Sequence, residues 1–354
     1  MSKTLLGVIE GFYGRPYQDD CRLDLCSFLK EQGLHFYIYA PKNASFLRRT
    51  WTEPLSSDEI SQQKILSEHC RSCNLKYGFG ISPLNICKDV AKLLPKLLDK
   101  TCHLVKETKA PLVALLFDDI EIAKNEGQIQ NYIIKEMAKA LPSCVEKLLV
   151  CPSYYSEDPI LEKVFGSRPQ SYFEELTDNI PSLISFFYTG PKVLSPNITP
   201  CDIKKAKAYL GEHLSIWDNY PVNDGKNICN KIYTAPFSGR TELDGSVELH
   251  AINPMTECHL SKMAIASLAS IYSKEESALA LKRQERILEE LFLDKVADLK
   301  PYLQLLQNQG QQALSALDKE KLMSILKTLP TAGACELKLF LEGFYKFDPT
   351  CLTS

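Results

Sequence analysis

The chain has 354 residues, of which 45% are hydrophobic and 24% charged, and its net charge is −3. These values are typical of a globular protein with one α/β domain of ~250 residues and an appended segment, and they give no reason to expect nucleic acid or an anionic membrane as a partner. The sequence starts without a secretory signal and no stretch approaches the ~20 apolar residues of a membrane span, so we expect a cytoplasmic protein.

Strand-like runs alternate with helical segments along the first 270 residues. In chain order the strands are predicted at residues 5–10, 35–40, 76–81, 112–117, 147–151, 185–188, 213–217 and 247–252. The helices between them are predicted at residues 20–32, 57–73, 87–108, 128–140, from Ser171, 202–210 and 255–272, with a break at Pro95. Eight such units are the count of a (β/α)₈ barrel.

A doubly wound open sheet is the structural alternative to the barrel. It usually has fewer strands, and a phosphate-binding fingerprint follows its first strand. Here the turn after the first predicted strand is E-G-F-Y-G-R, at residues 10–15, which lacks the G-x-G-x-x-G spacing. The sequence therefore favours the barrel.

The composition changes near residue 273. Residues 273–354 are rich in Leu, Lys, Glu, Gln and Ala without a strand-like run, and three to five helices are predicted there, broken near Pro301, Gly310 and Pro330. We expect a catalytic barrel over 1–272 and a C-terminal helical appendage over 273–354. The appendage could pack on the barrel or mediate a homodimer.

The stretch LVALLFDDIE, at residues 112–121, joins a continuous apolar run to two aspartates. Such a run is typical of a strand buried on both faces, and it ends at Asp118 and Asp119. An isolated Asp-Asp pair is most often a loop or a helix cap. At the edge of a core, however, two adjacent carboxylates raise the pKa of one of them, which suits acid–base catalysis.

Other side chains able to bind a ligand follow the predicted strands. They are Gly11, Tyr13, Lys42, Asn43, Asp118, Asp119, Tyr154, Tyr155, Lys192, Trp217, Asp218, Asn219, Asn223, Asp224 and Asn253. In a barrel these strand ends meet at one face, where active sites form. Carboxylates, amides, hydroxyls and aromatic rings together suit a sugar, which needs many hydrogen bonds and a flat apolar surface.

Metal chemistry has little support in the sequence. The six histidines avoid the predicted strand ends, and Cys70 and Cys73 form one CxxC pair beside His69 without a second pair to complete a zinc site. The 13 cysteines are an odd number, which favours reduced thiols, including Cys151 beside the predicted pocket. We expect no metal and no organic cofactor.

The strand ends resemble those of family 84 glycoside hydrolases, the β-N-acetylglucosaminidases that include protein O-GlcNAcases and bacterial hyaluronidase-like enzymes. The matching pieces, in family order, are GVIEGFYGRPY at 7–17, YIYAPKN at 37–43, ALLFDDIE at 114–121, CPSYY at 151–155, YTGPKV at 188–193, IWDNYPVND at 216–224 and INPM at 252–255. The resemblance extends from residue 5 to about residue 270.

The resemblance implies a role for each matched residue. Asp118 corresponds to the aspartate that orients the substrate's 2-acetamido N–H, and Asp119 to the general acid and base. The residues implied to bind the sugar are Tyr155, Asn219 and Trp217 around the acetamido group, Gly11 and Lys42 at the 3-hydroxyl, and Asp224 and Asn253 at the 4- and 6-hydroxyls.

The expected reaction is therefore retaining exo-hydrolysis of β-linked N-acetylglucosamine, in which the substrate's own acetamide oxygen forms an oxazoline. The expected substrate is O-linked GlcNAc on Ser or Thr of proteins. One alternative is a β-N-acetylglucosaminidase for free glycan fragments of hyaluronan or chitin type. The other is a catalytically silent barrel that binds GlcNAc.

Overall fold

A computed structural model of the chain describes residues 3–120 and 126–351. Eight strands form a closed barrel in which each strand pairs in parallel with the next and β1 also pairs with β8. The strands are β1 (Leu5–Glu10), β2 (Phe36–Tyr39), β3 (Lys76–Ile81), β4 (Leu112–Leu116), β5 (Lys147–Cys151), β6 (Ile184–Tyr188), β7 (Leu214–Asp218) and β8 (Leu249–Ile252). The predicted barrel is confirmed, although the glutamate that ends the 112–121 stretch lies outside the described residues.

Helices surround the barrel and continue beyond it. Those between and after the strands are α1 (Asp19–Glu31), α2 (Ser57–Ser72), α3 (Val90–Thr108), α4 (Glu126–Ala140), α5 (Pro159–Phe165), α6 (Tyr172–Thr177), α7 (Pro200–Leu210) and α8 (Cys258–Tyr272). The C-terminal helices are α9 (Ser277–Phe292), α10 (Val296–Asn308), α11 (Ala316–Leu326) and α12 (Ala332–Leu341). The predicted elements agree with these bounds to within about three residues, but α5 was not predicted.

The apolar strands are buried on both faces, as continuous rather than alternating runs require. Every residue of β4 is buried, and Phe117 extends its pairing by donating its N–H to the Cys151 carbonyl at 2.8 Å. The strand therefore delivers Asp118 and Asp119 to the end of the barrel where all eight strands finish.

Two prolines that were predicted to break helices lie inside them. Pro95 is the sixth residue of α3 and Pro301 the sixth residue of α10, and both are exposed. A proline removes one intrahelical hydrogen bond, to the carbonyl four residues earlier. Those carbonyls belong to Ala91 and Ala297, which are also exposed, so water can replace the lost donor.

The C-terminal helices share one apolar core with the barrel. Helix α12 packs on α8, and its Glu336 carboxylate accepts a hydrogen bond from the Leu260 N–H at 2.8 Å. Among the described residues, no helix is both long and apolar enough to cross a membrane.

Residues 343–351, which we call the C-terminal segment, run from α12 to the face where the strands end. The Arg15 guanidinium lies 4.2 Å from the centre of the Phe344 ring, and Asn43 donates a hydrogen bond to Asp348 at 3.0 Å. The segment is thereby attached to the loops that follow β1 and β2.

Candidate active site

One cavity at the carboxyl ends of the strands contains about 560 Å³ of empty space, its open mouth included. The residues predicted to form the site all line it: Gly11, Lys42, Asp118, Asp119, Tyr155, Trp217, Asn219, Asp224 and Asn253. They come from six strand ends, which a closed parallel barrel brings to the same face. The structure therefore brings together the nine residues to which the family resemblance assigns a role.

Asp118 forms a buried ion pair with Lys42. The Lys42 ammonium contacts Oδ2 of Asp118 and also lies 5.7 Å from the centre of the Trp217 ring. The other carboxylate oxygen, Oδ1, is buried and has no hydrogen-bond partner within the described chain. A buried acceptor without a donor is costly, so this oxygen is suited to an N–H group of a ligand.

Asp119 has a different environment from its neighbour. Its backbone is left-handed, with φ = 57°, and its Oδ2 accepts a hydrogen bond from the Tyr13 hydroxyl at 2.6 Å. Arg48 donates to the Tyr13 hydroxyl at 3.2 Å and to the Asp119 carbonyl at 3.4 Å. Burial, reinforced by the charge of Asp118, raises the pKa of Asp119 above its ordinary value. This is the direction that a general acid requires.

A wall of one indole and two amides forms another side of the cavity. The Trp217 indole N–H donates to Asn219 Oδ1 at 2.9 Å, and the same oxygen accepts from Asn253 Nδ2 at 3.0 Å. Asn253 Oδ1 in turn accepts the Gly11 N–H at 3.2 Å. Because each amide is fixed by its neighbours, the face of the indole is held rigidly towards the cavity.

Gly11 is required by the position of the indole. A Cβ atom at this residue would lie 2.3 Å from a ring carbon of Trp217. The indole also packs edge-on against Phe187, with ring centres 5.4 Å apart. The wall therefore depends on the absence of a side chain at residue 11.

Asp224 is a third carboxylate in the cavity. Its Oδ2 accepts the Tyr13 backbone N–H at 2.8 Å. Burial raises the pKa of Asp224 to about 6, although the Tyr13 N–H acts in the opposite direction. Among the described residues, Asp118, Asp119 and Asp224 are the carboxylates that line the cavity.

Some residues at the strand ends do not reach the cavity, contrary to the expectation that they form one set. They are Asn43, Tyr154, Lys192, Asp218 and Asn223. Successive side chains of a strand point to opposite faces, so Asp218 points away from the cavity while its neighbours Trp217 and Asn219 line it. Asp218 instead forms a buried ion pair with Arg240 and a hydrogen bond with His250, which stabilises the end of β7. His250 is thus a packing residue.

Two residues that the sequence placed near the site without a specific role also line the cavity. They are Tyr13 and Cys151, and burial raises the pKa of the Cys151 thiol well above its ordinary value. Cys351 of the C-terminal segment lines it too. No local pattern marks Cys351 or Arg48, because each reaches the site through contacts with residues far away in the sequence.

Comparisons with known proteins agree with this geometry. A family model described as β-N-acetylglucosaminidase matches residues 6–303. The protein O-GlcNAcases of Rattus norvegicus and Mus musculus are each 31% identical over 285 residues, which cover 76% of this chain and 30% of each relative. The chain therefore spans about a third of the length of these curated relatives.

Two solved structures share the fold of this chain. A mutant of Thermobaculum terrenum O-GlcNAc hydrolase superposes with a TM-score of 0.79 at 24% identity, covering 96% of this chain and 80% of that one. The structure of CpGH84B superposes with a TM-score of 0.77 at 22% identity, covering 97% of this chain and 66% of that one. At these identities the likeness establishes the common fold.

Proposed function

Because this chain belongs to the β-N-acetylglucosaminidase family of glycoside hydrolases, we propose that it removes terminal β-linked N-acetylglucosamine, with the acetamide of the substrate as the nucleophile. We further propose that the sugar is O-linked to Ser or Thr of proteins. The protein aglycone is supported by the relatives named protein O-GlcNAcase.

One observation carries the proposed mechanism. Asp118 and Asp119 are consecutive residues at one strand end, and each has a buried oxygen without a partner in the described chain. Glycosidases with an enzymic nucleophile place their two carboxylates on opposite sides of the scissile bond, ~5–5.5 Å apart in retaining enzymes. Consecutive residues are poorly placed for this, whereas both can act from one side of a sugar that supplies its own nucleophile.

Asp118 would act on the acetamide. Its Oδ2 is held by the Lys42 ammonium, and its Oδ1 is available to accept the acetamide N–H. As the acetamide oxygen attacks the anomeric carbon, positive charge develops on the nitrogen, and a fixed carboxylate stabilises it. The attacking oxygen is held by its own sugar ring, so the proximity advantage is intrinsic to the substrate.

Asp119 would act on the leaving group. Burial and the charge of Asp118 raise its pKa, which favours the protonated form that can donate a proton to the glycosidic oxygen. In the second step the same group, now a carboxylate, would take a proton from the water that opens the oxazoline. Trp217, with Tyr155 and Asn219, would form the acetamido pocket in this arrangement.

Asp224 supports a competing mechanism, because it also lines the cavity and could act as an enzymic nucleophile. The two mechanisms differ in how they respond to the acyl group. Replacing N-acetyl by N-trifluoroacetyl in an aryl β-glucosaminide makes the amide oxygen a weaker nucleophile. A steep loss of rate supports the substrate-assisted mechanism, and turnover without that loss would assign the nucleophile to the enzyme.

Substitutions at the two aspartates test their separate roles. Asp119→Asn should slow alkyl glycosides by ~10²–10⁴-fold and activated aryl glycosides far less, because only poor leaving groups need the proton. Asp118→Asn should slow every N-acetyl substrate, whatever its leaving group. If the penalty at Asp118 instead followed leaving-group pKa, the two roles would have to be exchanged.

The aglycone requires its own comparison. Release of GlcNAc from an O-GlcNAc peptide should exceed release from hyaluronan or chitin fragments of equal concentration. The reverse ranking would favour the glycan-degrading alternative, and binding of GlcNAc without hydrolysis of any substrate would favour the silent barrel. Cytoplasmic location and homodimerisation through the C-terminal helices stay predictions. Sedimentation of the purified chain can check whether it forms a dimer.

A further inference from the structure

The Tyr13 hydroxyl lies between a guanidinium and a carboxyl group. Its oxygen is 3.2 Å from Nη2 of Arg48 and 2.6 Å from Oδ2 of Asp119. A guanidinium has only donors, so the Tyr13 oxygen accepts from Arg48. The single hydrogen of the hydroxyl is then left for Asp119, which makes Oδ2 an acceptor.

The direction of this hydrogen bond distinguishes the two oxygens of Asp119. A carboxyl oxygen that accepts from a phenol is the poorer position for the acid proton, which the other oxygen then carries. That oxygen, Oδ1, is buried and has no partner within the described chain. We propose that Tyr13, oriented by Arg48, is a positioning residue that occupies Oδ2 of Asp119, so that Oδ1 carries the proton and delivers it to the leaving group. This inference rests on the proposed function.

Arg48 fixes the backbone of the same residue. It is buried and donates to the Asp119 carbonyl at 3.4 Å, while Asp119 has the left-handed φ of 57° that few residues other than Gly, Asn and Asp adopt readily. The direction of a side chain depends on its backbone angles. Arg48 therefore restrains the aspartate at its carbonyl and, through Tyr13, at its carboxyl.

The groups around Asp119 determine how loss of the Tyr13 hydroxyl should change the pKa of Asp119. The titratable and charged groups that act on it or face it in the described chain are Tyr13, Lys42, Arg48, Asp118, Cys151 and Asp224. Burial and the charge of Asp118 raise the pKa of Asp119, whereas Lys42, Arg48 and the hydrogen bond from Tyr13 lower it. Removal of the hydroxyl should accordingly raise the pKa.

The first experiment is the pH profile of kcat/KM for Tyr13→Phe. The alkaline limb, which reports loss of the Asp119 proton, should move up by about one pH unit. Activity at the optimum should fall ~10-fold for an alkyl glycoside and less than ~3-fold for an activated aryl glycoside. Tyr209→Phe is the matched control, since Tyr209 donates to the Glu157 carboxylate at 2.7 Å outside the cavity. Its pH profile should equal that of the wild type.

A double-mutant cycle separates positioning from a general structural effect. When Asp119→Asn is already present, Tyr13→Phe should cost little more, because both changes remove one function. The proposal would be overturned if the rate losses of the two single variants multiplied in the double variant. It would also be overturned if Tyr13→Phe slowed alkyl and aryl glycosides equally and left the alkaline limb of the pH profile unmoved.

A direct titration keeps the inference independent of activity. The ¹³C signal of the Asp119 carboxyl, assigned by its absence in Asp119→Asn, should titrate at higher pH in Tyr13→Phe than in the wild type. Should Tyr13→Phe fail to fold, Tyr13→3-fluorotyrosine provides the opposite perturbation, because a stronger phenol donor should lower the pKa of Asp119. An Asp119 titration that is the same in wild type and variant refutes the inference. A wild type that hydrolyses no GlcNAc glycoside refutes the proposed function, while the carboxyl titration still reports on Tyr13.

Discussion

A single methyl group at residue 11 should disrupt the wall that Trp217, Asn219 and Asn253 form in the cavity. The Cβ of Gly11→Ala would lie 2.3 Å and 2.7 Å from two ring carbons of Trp217. Carbon atoms make optimal contact at ~3.5 Å or more, so the indole must move by about 1.2 Å. The indole is packed against Phe187 and its N–H donates to Asn219, and neither contact can stay unchanged after a shift of this size.

The expected loss of activity follows from this displacement. A misplacement of about 1 Å in a group that positions the substrate can cost ~10²-fold in rate, and we expect a loss of that order in kcat/KM for an aryl β-N-acetylglucosaminide. Overpacking should also lower the free energy of unfolding by about 1–3 kcal/mol. The measurements are steady-state kinetics and urea unfolding of the same preparation.

Two further variants separate the effect of the displaced indole on activity from a general loss of stability. Gly33→Ala has open space around its new Cβ but a φ of 73°, so it should cost about 1 kcal/mol of stability and leave kcat/KM unchanged. Gly11→Ala with Trp217→Phe removes the clashing ring and should regain stability without regaining activity. Gly11→Ala with wild-type kcat/KM would refute the reasoning, since it would mean that the indole moves freely or that the substrate does not use it.

The remaining predictions concern the rest of the cavity. Tyr155→Phe and Asn219→Ala should each cost ~1–3 kcal/mol of transition-state binding in kcat/KM, and wild-type kinetics would remove them from the site. Asp224 has a folded pKa of about 6, above its ordinary value of 3.8, so the stability that it contributes is full below pH ~4 and lost as the pH rises through 6. Urea unfolding should therefore show the wild type losing about 2 kcal/mol relative to Asp224→Asn between pH 4 and pH 7, and a constant difference would contradict this. Asn43→Ala removes the hydrogen bonds to the C-terminal segment and to the loop after β1, so Cys351 should react faster with a thiol reagent, whereas an unchanged rate would show that the segment is held by other contacts.

The strands and their order could be predicted because their signal is local. A strand of a closed parallel barrel is buried on both faces, which requires a continuous apolar run, and the run at 112–117 ends sharply at two aspartates. Once eight such runs are recognised, parallel closure alone places their carboxyl ends together. The nine predicted residues line one cavity for this reason, and the family motifs assign them without any knowledge of distances.

The helix breaks predicted near Gly310 and Pro330 are confirmed, but those at Pro95 and Pro301 are wrong. Proline disfavours the interior of a helix, yet Pro95 and Pro301 are accommodated because their sides of α3 and α10 face solvent. The side of a helix that faces solvent depends on what packs against the other side, and that is a property of the whole fold.

The sequence by itself determined the barrel and the strand order, which follow from hydrophobic pattern and chain direction, and its family motifs identified nine residues at the mouth of the barrel. Only the tertiary structure decided how those residues act on one another. The hydrogen bond from Tyr13 to Asp119 spans 106 positions, and Cys351 reaches the cavity from the other end of the chain. Directions of hydrogen bonds, burial of each oxygen and the resulting pKa values depend on distances of a few ångströms between such residues, and spacing along the chain does not encode those distances.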